Sequence, residues 1–224
     1  MLIIIQIMKK GLFIVVDGPS ASGKDSIIKQ ILKDLNNLRL KSTSIEETKE
    51  KKYDRKKIML AKRRGDKAVA KTIIIERKKL YRELVVPQIS KGVIVIANRG
   101  EPSTLSYQTL KGELTMQNAW DMHREQNIPL PDLAVITNCS IQEAIRRENL
   151  RKTSFEEKNK GFLSGKFTSL EKRKLIHDNY KKTKDFLKKK GLSVIYLDTD
   201  KMDVSGESRK IVNFIKNKIK YVTA

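Results

Sequence analysis

The stretch "LFIVVDGPSASGKDS", residues 12–26, passes from an uninterrupted apolar run through a glycine-bounded loop into the polar start of a helix. Gly18, four residues, then Gly23 and Lys24 reproduce the G-x-x-x-x-G-K spacing of a phosphate-binding loop, with the buried strand before it and the helix after it that this spacing needs. Backbone N–H groups of such a loop converge on one concavity, and the helix N-terminus behind adds partial positive charge, so a phosphate is held with few side-chain ligands. The run Gly18, Pro19, Ser20, Ala21, Ser22, Gly23, Lys24, Asp25 and Ser26 is therefore the expected ATP site, with Lys24 bridging the β- and γ-phosphates. Asp17, at the strand end, has two readings: a Mg²⁺ ligand acting through water, or simply a polar terminus. Asp25 stands where the loop normally carries Ser or Thr. A carboxylate about 4 Å from a phosphate charge costs on the order of 4 kcal/mol at an effective dielectric of about 20. Asp25 is thus expected to turn away, within the first helical turn, where the helix dipole favours an acid.

Outward from this loop, strands and helices alternate. "VIVIAN" (93–98), "LAVITN" (133–138) and "SVIYLD" (193–198) share with "LFIVVD" (12–17) a short, β-branched character that is apolar on both faces, as parallel strands covered on both sides must be. "STSIEE" (42–47) is a weaker fifth. Helical stretches begin near Lys24, Asp66, Ser140, Ser169 and Val204, so each strand returns through a helix. The expected architecture is an α/β three-layer sandwich around a mostly parallel five-stranded sheet. Two basic stretches interrupt it. Residues 49–64 hold nine Lys or Arg against two acids, and 146–174 mix Arg and Lys with Gly161 and Gly165. Each reads either as a solvated charged face or as a loop closing over phosphates at the carboxyl ends of the strands.

With 224 residues the chain buries one substantial core, so residues 11–224 are expected to form a single domain. Apolar residues make up 39% and charged residues 33%, with only 11 Gly and 5 Pro, which excludes a disordered chain. The lone cysteine, Cys139, cannot form an internal disulfide, and two histidines without clustered thiols give no zinc-ligand pattern, which points to a reducing, cytoplasmic setting. The opening "MLIIIQIMKK" (1–10) is too short an apolar run to span a membrane and lacks the features of a signal peptide, so it reads as an extension, with Met8 as an alternative start. The net charge of +22 suits phosphate-rich small ligands. Scattered lysines, 6% aromatics and no stacking motif argue against a nucleic-acid surface.

A phosphate loop alone serves switches, motors and kinases alike. The second substrate is read from "NRGEPSTLSYQ" (98–108), behind the third strand. There Arg99 sits at a carboxyl strand end, followed by a short helix with Ser103, Tyr107 and Gln108. A guanidinium for a phosphate, a flat aromatic and an amide able to read a base edge then surround one crevice, which suggests a nucleoside monophosphate pocket.

At these residues the chain resembles the thymidylate kinase family of nucleoside monophosphate kinases. "NRGEPSTLSYQ" is similar to that family's D-R-Y/H motif and the S-S-x-A-Y-Q behind it. "ERKKLYRELVVPQISKGVIVIANR" (76–99) resembles its long helix with an acid–Arg pair leading to Pro and the third strand. "LPDLAVITNCSIQEAIRRENLRK" (130–152) resembles its P-D-L strand and the start of its arginine-bearing lid. The resemblance implies a P-loop kinase domain with a helical lid at about 146–174, ATP and Mg²⁺ as cofactors, and a homodimer. It also implies that Lys24 stabilises the transferring phosphoryl group, Arg99 holds the acceptor phosphate, and Arg147 and Arg151 reach the donor phosphates. Arg77 and Gln108 would contact the base, Ser103 would lie near it, and Tyr107 would lie under the deoxyribose. Several monophosphate kinases resemble this loop in carrying their hydroxyl one place later, which makes Ser26 the Mg²⁺ and phosphate hydroxyl.

The chain departs from that pattern at Asn98, where the family has Asp, at Gly100, Ile73 and Ser20, and in "SIEETKEKKY" (44–53), which lacks an Arg-Glu-Pro element. The expected reaction is phosphoryl transfer from ATP to dTMP. A kinase for another nucleoside monophosphate or a deoxynucleoside is the neighbouring alternative. A degenerate nucleotide-binding protein is the alternative from a different class.

Overall fold

The computed structural model describes residues 11–51, 53–158, 169–200 and 203–221, the side chains of 151–158, 220 and 221 excepted. The extension 1–10 and residues 159–168 of the expected lid lie outside that description. Five strands, β1 (Phe13–Asp17), β2 (Ser42–Glu46), β3 (Ile94–Asn98), β4 (Leu133–Asn138) and β5 (Val194–Asp198), form one sheet in the order β2-β3-β1-β4-β5. Every pairing is parallel, where the sequence suggested mostly parallel. β1 lies at the centre, with Phe13 level with Val95 of β3 and Ile14 level with Leu133 of β4.

Nine helices are described: α1 (Lys24–Asn37), α2 (Arg55–Ala61), α3 (Asp66–Leu80), α4 (Val86–Ser90), α5 (Glu101–Tyr107), α6 (Met116–Glu125), α7 (Ile141–Lys158), α8 (Leu170–Lys189) and α9 (Val204–Tyr221). Successive strand residues point to opposite faces. Ile14 and Val16 meet Ile27, Ile31 and Leu35 of α1 and Ile211 and Ile215 of α9 on one side. Phe13 and Val15 meet Ile74, Leu80 and Ile89 of α3 and α4 on the other, which Leu105, Trp120 and Tyr180 of α5, α6 and α8 continue beyond β4. The result is the expected three-layer sandwich. Between α3 and α4 the helix widens into a π-type turn over Tyr81–Val85. Pro87 follows at the start of α4 and offers no N–H to the carbonyl four residues earlier.

Candidate active site

Behind β1 the chain turns so tightly that glycine is required. A Cβ on Gly18 would lie 2.2 Å from the carbonyl oxygen of Thr137 and 2.7 Å from Ser22 Oγ. Ser22 Oγ bonds Thr137 Oγ1 at 2.7 Å and the Pro19 carbonyl at 2.9 Å, which pins the loop to β4. Ala21 (φ 59°) and Gly23 (φ 86°) take left-handed conformations, and strain of that kind in a non-glycine such as Ala21 concentrates at functional loops. Gly23 caps α1 with no side-chain bond to its first turn, so the N–H groups there point into the loop's concavity unclaimed by a cap. Lys24 is buried and its Nζ donates to the carbonyls of Gly18 (2.9 Å) and Pro19 (2.6 Å). Arg147 of α7 lies across the loop, donating to the Ala21 carbonyl, to Thr199 Oγ1 (2.9 Å) and to Glu143 (2.7 Å). Arg151 lies in α7, with its side chain outside the described residues.

Asp17 ends β1 next to the loop. It is wholly buried, and its carboxylate accepts from the backbone N–H groups of Gly18, Gly100 and Ser103 and from the hydroxyls of Ser103 and Tyr180, all within 3.0 Å. A carboxylate has about four lone-pair sites. Five donors crowd those sites, and their bonds join β1 to α5 and α8. Asp25 lies exposed in the first turn of α1, and its Oδ1 accepts from Asn98 Nδ2 at 2.9 Å. Ser26 is exposed beside it.

A cavity of about 420 Å³ opens at the same ends of β2 and β3. Arg99 lies at one end, the first residue past β3, held in a left-handed conformation (φ 80°) by its N–H bond to the Val16 carbonyl. Its guanidinium donates to Ser103 Oγ and lies 6.0 Å from the Tyr107 ring centre. Ser103, expected near a base, therefore stands at the Arg99 end with its hydroxyl committed to Asp17. Tyr107 packs edge-on to Tyr180, ring centres 5.9 Å apart, and burial, opposed by Arg99, raises its phenol's pKa. Gln108 and Ile73 line the cavity too, and so do Arg55 and Lys62 from the basic stretch 49–64, which α2 turns toward the cavity rim.

Arg77 is buried beneath this cavity, 1% exposed. It forks onto both oxygens of Glu47, and Nη1 donates to Thr104 Oγ1 (3.0 Å) and to His123 Nε2 (2.8 Å). Since His123 Nδ1 faces the Ala119 carbonyl at 2.8 Å, Nδ1 carries the proton and Nε2 accepts. Burial and then the Arg77 charge push His123 down to about 3, which keeps it neutral. Glu47, Thr104 and His123 were not singled out in the sequence. Glu47 had a signal, an acid just past a strand's carboxyl end, inside the very segment that lacks the Arg-Glu-Pro element. His123 had none.

A phosphate cradle joined through Asp17 to a second, guanidinium-lined cavity at the carboxyl ends of a parallel sheet defines a phosphotransferase of the phosphate-loop class. The family model described as thymidylate kinase matches residues 16–189, and the chain belongs to the thymidylate kinase family of ATP-dependent phosphotransferases. It is similar to the thymidylate kinase of Brachyspira hyodysenteriae, 29% identical over 140 residues that span 62% of this chain and 68% of that protein. It is similar also to a probable thymidylate kinase of Thermococcus gammatolerans, 29% identical over 188 residues, 77% of this chain and 82% of that protein. With a probable thymidylate kinase of Pyrococcus horikoshii it shares 31% identity over 81 residues, 36% of this chain and 38% of that protein. Among the described residues no helix is long and apolar enough to cross a membrane.

Proposed function

We propose that the chain transfers the γ-phosphoryl group of ATP to dTMP, giving dTDP and ADP, with Mg²⁺. The observation that carries this reading is the pairing of the phosphate loop with the Arg99 cavity across one carboxylate, Asp17, in a chain of this family. An acceptor phosphate oxygen attacks the γ-phosphorus in line, the bond to the β,γ-bridging oxygen breaks, and ADP leaves. Catalysis is positioning and charge neutralisation, with no general base required. Arg99 holds the acceptor phosphate, Lys24 leaves its loop carbonyls for the transferring group, and Arg147 and Arg151 approach the donor phosphates. Tyr107 lies under the sugar, and Arg77 and Gln108 face the base. Asp25 and Ser26 present hard oxygens at the loop, the donor type Mg²⁺ takes alongside substrate phosphates. Bound there, Mg²⁺ would neutralise charge on the β- and γ-phosphates. The single thiol, Cys139, is buried and free, which supports a reducing, cytoplasmic setting, and the family resemblance supports a homodimer.

An ADP-release assay with ATP across the nucleoside monophosphates tests the reading. Preferred turnover of dTMP is expected. A different preferred monophosphate would reassign the acceptor, and ATP binding without turnover of any would make the chain a nucleotide-binding protein only.

A further inference from the structure

Phosphate loops of the nucleoside-triphosphatase type hold their cation with the hydroxyl of the residue after the loop lysine and with a carboxylate from a neighbouring strand. The residue after Lys24 is Asp25, an acid. Asn98, an amide, ends β3, and β3 lies beside β1. One contact accounts for both departures: Asn98 Nδ2 donates to Asp25 Oδ1 at 2.9 Å. The pair still contains one carboxylate and one neutral partner, but the charge lies on the loop and not on the strand. Asn98 is 8% exposed, and its Oδ1 is a buried oxygen without a hydrogen-bond partner among the described residues. Asp25 is exposed, so its carboxylate remains open to a ligand from the crevice while the amide fixes its direction.

Resting on the phosphotransferase reading above, we propose that Asp25 is the carboxylate that holds the donor site's divalent cation, that Asn98 positions it, and that nucleotide binding by this chain is therefore obligately cation-linked. A bare polyphosphate arriving at the loop meets a fixed negative charge one residue from Lys24 and is repelled. With a cation between them, the same charge becomes an attraction, since carboxylate and phosphate oxygens are both hard ligands. A hydroxyl at that place carries no charge and gives no such reversal. Two carboxylates at 25 and 98 would face each other within hydrogen-bonding distance and repel, so an acid at one place needs a neutral partner at the other. This replaces the expectation that Asp25 simply turns away from the phosphates.

The test is ADP and ATP affinity, measured by calorimetry on the full chain with Mg²⁺ and with EDTA. For the wild type, binding in EDTA should be weaker by about a hundredfold or more, since one carboxylate close to a phosphate at intermediate dielectric can shift affinity by up to about a thousandfold. Asp25→Thr and the isosteric Asp25→Asn should each strengthen binding in EDTA by about tenfold or more and shrink the Mg²⁺-to-EDTA ratio accordingly. Asn98→Asp should weaken Mg²⁺-free binding in the wild-type background and be tolerated in the Asp25→Thr background. An unchanged ratio in both Asp25 variants, with their melting temperatures retained, overturns the proposal. An equal effect of Asn98→Asp in both backgrounds overturns the positioning role. A collapsed ratio in a chain that turns over no monophosphate would keep this proposal and sink the assigned reaction, whereas no ADP or ATP binding under either condition sinks both.

Discussion

Arg77 and Arg99 serve one cavity under opposite constraints. Arg77 is buried and gripped by Glu47, Thr104 and His123, whereas Arg99 is only partly buried and shares its guanidinium with Ser103. Removing one partner of a buried pair leaves an uncompensated charge, so Glu47→Ala should destabilise the fold by about 3–5 kcal/mol, read by urea denaturation. Arg99→Ala should leave stability and ATP affinity close to wild type while raising the acceptor's KM and lowering kcat, because one phosphate contact is lost from one substrate only. An equal loss of ATP affinity would take Arg99 out of the acceptor site. Arg99 was legible because it stands against a strand end in the sequence itself. The grip on Arg77 was not, because Glu47 lies thirty residues away and His123 forty-six, and nothing in local composition announces a partner at that separation.

Among the elements, all five strands fall within one residue of their sequence-based bounds; β1, β3 and β4, buried at every residue, show as unbroken apolar runs, while β2 and the half-buried β5 form the edges of the sheet. The starts of α1, α3, α7, α8 and α9 also lie within a residue of those expected. α2 and α6 gave no such signal. Three of the seven residues of α2 are basic and only Ala61 is buried, and α6 buries Ala119, Trp120 and His123, with Met116 and Met122 only partly buried against the core. Helices of that kind are fixed by what they pack against more than by their own periodicity. α5 carries Tyr107 between the cavity and Tyr180 of α8. Tyr107→Ala should therefore loosen discrimination against ribonucleotides, read as the ratio of kcat/KM for dTMP to that for its ribonucleotide counterpart. Tyr107→Phe, which keeps the ring, should preserve the ratio, and if the alanine variant preserves it too, Tyr107 serves packing alone.

For the molecule as a whole, two buried groups pull stability in opposite directions with pH. His123 titrates near 3 in the fold, held down by burial and Arg77, against about 6.5 when unfolded. Between those values the unfolded chain binds a proton that the fold does not, so this contribution is lost as pH falls, by about 2 kcal/mol at pH 5 relative to neutrality. Glu207 is pushed up to about 7, chiefly by burial, so its contribution is complete below its unfolded value and lost as pH rises through 7. In a denaturation series from about pH 5 to 8, His123→Gln should lose least against wild type at the acid end, and Glu207→Gln should gain most at the alkaline end. Parallel wild-type and variant curves would refute the assignments. The strand order carries a different consequence. Neither β1 nor β2 neighbours the other, and both pair with β3, which begins at Ile94. A nascent chain emerging from the ribosome thus pairs neither β1 nor β2 into this sheet until β3 has followed them. The nucleotide-binding loop behind β1 stays without its framework until β3 and then β4 arrive, so a chain that ends before β3 leaves the loop without the strands that flank β1.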